Sequence, residues 1–191
     1  MDKVNVKGNL EIWKRYNDGT EELHFSEHNV ITSGMGVGLA HLFGASGSGD
    51  VGDYQIINFQ LGTGGDPSDY GVSTFELNTP LSVAAIQTTG SELLVEELKT
   101  IKNGVITAGT TPLIRLPYSN IQKGTPTSVR FNLVIDPHSL NDSEVDEVGL
   151  FMRNPRGHGD GPNPILVAYR PFTSLSKTST FSLILKWTLS F

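Results

Sequence analysis

The last eleven residues, FSLILKWTLSF, put Phe181, Leu183, Leu185, Trp187, Leu189 and Phe191 on six successive odd positions, against Ser182, Ile184, Lys186, Thr188 and Ser190. A period of two in large apolar side chains is the mark of a strand with one buried face. Because the pattern runs to Phe191, it predicts a packed C-terminal strand rather than a frayed one. Any fold for this chain must provide an apolar layer to receive those six side chains.

Other stretches repeat the theme. Val129, Phe131, Leu133 and Ile135 alternate with Arg130, Asn132 and Val134 up to the Asp136-Pro137 turn. VDEVGLFMR and PILVAYRPF read as two further strands around the turn-rich NPRGHGDGPN. Near the front, Leu10, Ile12 and Tyr16 fall on one side of a segment that ends in Asn17-Asp18-Gly19, a hairpin turn. YQIINFQLG, with Ile56 and Phe59 in apolar surroundings, predicts a strand before a glycine-rich loop and the Asp66-Pro67 turn. SELLVEELKTIKNGVITAG is ambiguous: Leu94, Leu98 and Ile101 fit a helix, whereas Asn103-Gly104 suits a hairpin, and strands are the preferred reading. With 21 Gly and 10 Pro above average usage, and apolar (37%) and charged (18%) content below it, the composition fits strands joined by many turns. The expectation is one mainly β domain over residues 1–191, an antiparallel β-sandwich of jelly-roll or Ig-like type, with one short helix near the front. Residues 1–27 form either a docking hairpin or part of that sandwich.

The helix is expected to start near Ser33, which can cap it, and to pack on a sheet through Leu39 and Phe43. Its opening, SGMGVGLAHLFG, raises the question of a phosphate site. A dinucleotide fingerprint fails because Leu39 stands where the third glycine belongs, and a Walker loop fails because no lysine occurs between Arg15 and Lys99. The glycines instead read as positions of close helix–sheet approach, with Gly36 and Gly38 the ones a valine would disturb.

A formal net charge of −6 and the lack of any Lys/Arg cluster argue against a nucleic-acid partner. No stretch is apolar enough for a membrane span or a signal peptide, and the absence of cysteine removes disulfides, thiolate metal sites and a cysteine nucleophile. His24, His28, His41, His138 and His158 read as surface or turn residues, since the four-residue spacing of His24 and His28 does not converge on a metal in a strand. Asp136, Asp142, Glu144, Asp146 and Glu147 crowd one segment without the spacing of a calcium loop, so a solvated acidic turn is preferred over a metal site. Trp187 lies on the apolar face of its strand and belongs to the core, leaving Trp13 as the other tryptophan. No motif nominates a catalytic residue, a cofactor or a metal ligand.

HNVITSGMGVGLAHLF, FQLGTGGDPSDYG with the following Leu77–Leu81, SVRFNLVID, EVGLFMR and the closing VAYRPFTSLSKTSTFSLILKWTLSF resemble phage virion proteins. The resemblance is to small proteins of tail, fibre and collar, and covers most of residues 28–191. It implies a non-enzymatic structural subunit at the tail, neck, collar or baseplate, made in the host cytoplasm and located in the virion. Self-association and contact with other virion proteins are implied, whereas nucleic acid, membrane and cofactor are not. Alternatives are a receptor- or carbohydrate-binding fibre domain and a capsid decoration protein.

Overall fold

The computed structural model describes residues 5–44, 54–102, 105–154 and 163–191. In chain order it contains β1 (Lys7–Tyr16), β2 (Glu21–Ile31), α1 (Ser33–Gly44), β3 (Ile56–Gly62), α2 (Val83–Ile86), β4 (Val95–Lys102), β5 (Val105–Arg115), β6 (Ile121–Thr125), β7 (Ser128–Ile135), β8 (Ser143–Met152), β9 (Ile165–Lys177) and β10 (Phe181–Ser190). The protein is mainly β and antiparallel, as expected. The ten strands follow one hydrogen-bonded order, β4-β5-β3-β8-β9-β2-β1-β10-β7-β6.

That series doubles back on itself at β2. The first part of β2 pairs with β1, whereas only Val30 and Ile31 pair with β9, opposite Tyr169 and Ala168. A bulge at His24, where Ile12 faces Phe25 and Trp13 faces Leu23, interrupts the β1–β2 register. The two halves, sheet A (β2-β1-β10-β7-β6) and sheet B (β4-β5-β3-β8-β9), face one another as a sandwich. Phe59 of β3 meets Trp187 of β10 at 5.9 Å between ring centroids, and Phe25 of β2 meets Phe172 of β9 at 5.8 Å. β1 lies between β2 and β10, so the N-terminal hairpin is part of the sandwich. Its turn is closed as the sequence predicts: Gly19 takes φ 88°, and Asp18 Oδ1 accepts from the Thr20 amide and hydroxyl.

In β10, Phe181, Leu183, Leu185, Trp187 and Leu189 are all buried in the core. Phe191 departs from the expectation: it lies one residue beyond the strand and is 50% exposed, although its amide still bonds to the Thr127 carbonyl. The ambiguous segment forms the strands β4 and β5, with Val95 opposite Ile114 and Lys102 opposite Val105. Their Asn103-Gly104 turn falls outside the described residues.

Helix α1 begins at Ser33 as predicted, but its buried face is another one. Phe43 is 83% exposed, and Met35 carries the fully buried contact, with Leu39 packed only partly against the core. A side chain at Gly34 would run into the Leu166 carbonyl of β9 and one at Gly38 into Met152 of β8, whereas Gly36 faces open space. Positions four apart share a helix face and a position two away does not, so Gly34 and Gly38, not Gly36, set the close approach. Beyond the single helix expected, the chain also makes the one-turn α2, capped by Ser82 Oγ on the Ala85 amide.

Candidate functional site

Sheet B is covered on its outer face, and that cover creates the most constrained region of the molecule. After β3, residues 63–80 cross the sheet and return to the edge of β3, where Pro80 bridges Gly62 and the Leu81 amide bonds to the Leu61 carbonyl. Leu77 is the apolar peg, packed with Leu113, Phe151, Leu166 and Tyr169. Gly149 makes room for it, because a Cβ there would lie 2.7 Å from Leu77 Cδ1 and 2.7 Å from Leu166 Cδ1.

Glu147 is the polar peg. Its fully buried carboxylate accepts from the Tyr169 hydroxyl at 2.7 Å and from the amides of Thr79 at 2.8 Å, Asn78 at 3.0 Å and Gly64 at 3.3 Å. These four donors replace the water that the carboxylate gives up on burial. Asp146 extends the arrangement by accepting from the Gly65 amide at 2.7 Å. Burial, then the hydrogen bond to Glu147 and that carboxylate's charge, push the Tyr169 hydroxyl well above the usual tyrosine range. Tyr169 therefore stays a protonated donor.

Arg170 fastens the cover at a second point. Its guanidinium lies 5.3 Å from the ring centres of both Phe25 and Tyr70, and donates to the Tyr70 hydroxyl and to Glu27. The Ser33 amide at the start of α1 bonds to the Val72 carbonyl, so helix and cover are tied together.

Between cover and sheet lies a cleft of about 750 Å³. It opens where β5 leaves β3. Those two strands pair only at Asn58–Arg115 and Phe59–Ile114, and the far end of β3 is taken up by residues 79–81 instead. One wall carries Phe75, Glu76 and Asn78, and the other carries Thr100 of β4 with Thr110 and Thr111 of β5. Gln60 and Phe151 form part of the floor, and Asn163 ties the end of the hairpin through paired backbone bonds with Ile101 and a 3.1 Å bond from its Nδ2 to the Lys99 carbonyl.

The acidic segment is dispersed by the fold rather than gathered. Asp136 accepts from the Ser139 hydroxyl and from the amides of Glu92 and His138; burial raises its carboxyl, but these bonds outweigh that and hold it below the usual carboxylate range. Glu144 accepts from Ser174, and Asp146 and Glu147 point to the cover. Among the described residues no three metal-ligating side chains gather. His24 Nε2 donates to the Thr173 carbonyl, His41 stacks on Tyr54, and His138 is exposed; His158 lies outside the described residues. Trp187 is fully buried, its Nε1 donating to Asn29 at 2.9 Å, whereas Trp13 sits on the outer face of sheet A beneath the Lys186 ammonium.

Sequence reasoning missed both the role of Glu147 and the cleft. The signal for the first was present: Glu147 and Gly149 in EVGLF, and Gly62 and Gly64 in LGTG, are the residues that meet across the cover. Comparisons with protein-family models, with curated proteins and with solved structures found no match.

Proposed function

We propose that this chain is a non-enzymatic structural subunit of a phage virion, associated with tail, neck, collar or baseplate, and bound there to other virion proteins and to copies of itself. One observation carries the reading. Three of the short motifs that resemble virion proteins serve to join layers, since Gly34 and Gly38 seat α1 on β8 and β9, while Gly62, Gly64, Glu147 and Gly149 seat the cover on sheet B. Motif residues spent in this way fit a protein whose product is a shape. An enzyme of this size would be expected to place such residues around a reacting atom.

Edge strands favour defined attachment over open-ended pairing. β4 carries Glu96, Glu97 and Lys99 together with a bulge, and β6 is only five residues long with a bulge of its own. Such edges discourage uncontrolled strand addition, so contacts with neighbours would be made by faces and loops. The test is immunogold labelling of purified particles, with quantitative mass spectrometry of the same preparation. Label at one particle substructure in several copies per particle supports the proposal, and absence of the protein from intact particles overturns it.

A further inference from the structure

We propose that the cleft between the cover and the β4–β5 hairpin binds an uncharged oligosaccharide, a binding activity that goes beyond the structural role and does not depend on it. Its volume of about 750 Å³ lies in the range of small-ligand clefts. The walls combine an apolar ring face with hydroxyls and amides. Phe75, 59% exposed, offers the ring to the C–H face of a sugar. Across from it, the Thr111 hydroxyl shares a 3.0 Å bond with the Thr100 hydroxyl, which leaves hydrogen-bonding capacity on Thr111. Asn78 donates its Nδ2 to the Gly64 carbonyl at 2.7 Å, which leaves its side-chain oxygen as an acceptor for a ligand hydroxyl.

Charge narrows the ligand class. Among the described residues no lysine, arginine or histidine lines the cleft, and Glu76 is its ionic side chain. A phosphate, sulfate or carboxylate ligand would have to give up its water there without a cation in return, whereas a neutral polyol meets hydroxyls and amides on equal terms. The walls are also held before any ligand arrives. Glu147 fixes the amides of Asn78 and Thr79, and Asn163 fixes the β4 wall at Lys99 and Ile101. Little ordering is left for binding to do.

The experiment prints neutral hexasaccharides of glucose, mannose, galactose and N-acetylglucosamine on an array beside their sulfated counterparts, and titrates the strongest into the full chain by calorimetry. The expected result is retention of at least one neutral sugar, with its sulfated counterpart about tenfold weaker or more. Phe75→Ala and Thr111→Val should each weaken binding by about fivefold or more while leaving the melting curve unchanged. Retention of none of the neutral sugars overturns the proposal, as does equal binding by both variants or a preference for the sulfated forms. Particle labelling reads the structural role separately, so either result can stand while the other falls.

Discussion

The two outer faces of the sandwich solve opposite problems. Sheet A leaves its outer face to water: Arg130 and Val134 of β7 are exposed, and Lys186 and Thr188 of β10 are half-buried, while the inner positions of the same strands are closed off. Sheet B has a dry inner face and a covered outer one, so β3 and β8 are buried on both sides over most of their length. A face that meets water needs only alternation. A face covered by irregular chain must also satisfy that chain's amides, and here a buried carboxylate does so.

The inner face of sheet A should dominate stability. Leu185→Ala is expected to lose about 2–5 kcal/mol in denaturant unfolding, whereas the neighbouring outward Lys186→Ala should stay within about 0.5 kcal/mol. Equal losses at the two positions would break the contrast between faces.

A second test sits where both sheets' loops meet. Lys177 is fully buried, donating to the Thr178 carbonyl at 2.6 Å and to Asn141 at 3.4 Å, with its ammonium 5.2 Å from the Phe181 ring centre. Burial pushes its pKa down to about 8, against the opposing pull of Asp136. The unfolded chain binds this proton more tightly, so the penalty is full below pH 8 and fades as pH rises towards 10.5. Relative to Lys177→Met, the wild type should gain about 2 kcal/mol between pH 7 and pH 10. A difference that does not change with pH would show that the amine titrates as if in water.

The helix seat offers smaller effects of opposite sign. Gly34→Ala should cost about 1–3 kcal/mol, because the new methyl meets the Leu166 carbonyl of the backbone. Gly36→Ala, in open space, should stabilise by about 0.5–1 kcal/mol through helix propensity alone. Similar losses at both would mean that the helix is rotated from the orientation described.

The same contrast explains what could be read from the sequence. β7 and β10 were legible because each has a wet face, which imposes a period of two. The start of α1 was legible from Ser33, but its rotation was not, since Phe43 and Met35 compete for the core on apolarity alone and tertiary contact with β8 and β9 decides. Glu147 read as part of an acidic turn because its donors, the amides of residues 64, 78 and 79, come from far away in the chain. The cleft left no local signature either, because it arises from β5 parting from β3 rather than from any one segment.

The claim that the buried Glu147 carboxylate is the main polar anchor of the cover on sheet B is tested most directly by amide hydrogen exchange in Glu147→Ala. Residues 63–80 should lose protection, with Gly64, Asn78 and Thr79 affected most, while β7 and β10 keep their wild-type exchange. Unchanged protection over residues 63–80, or a loss spread evenly over both sheets, would contradict it.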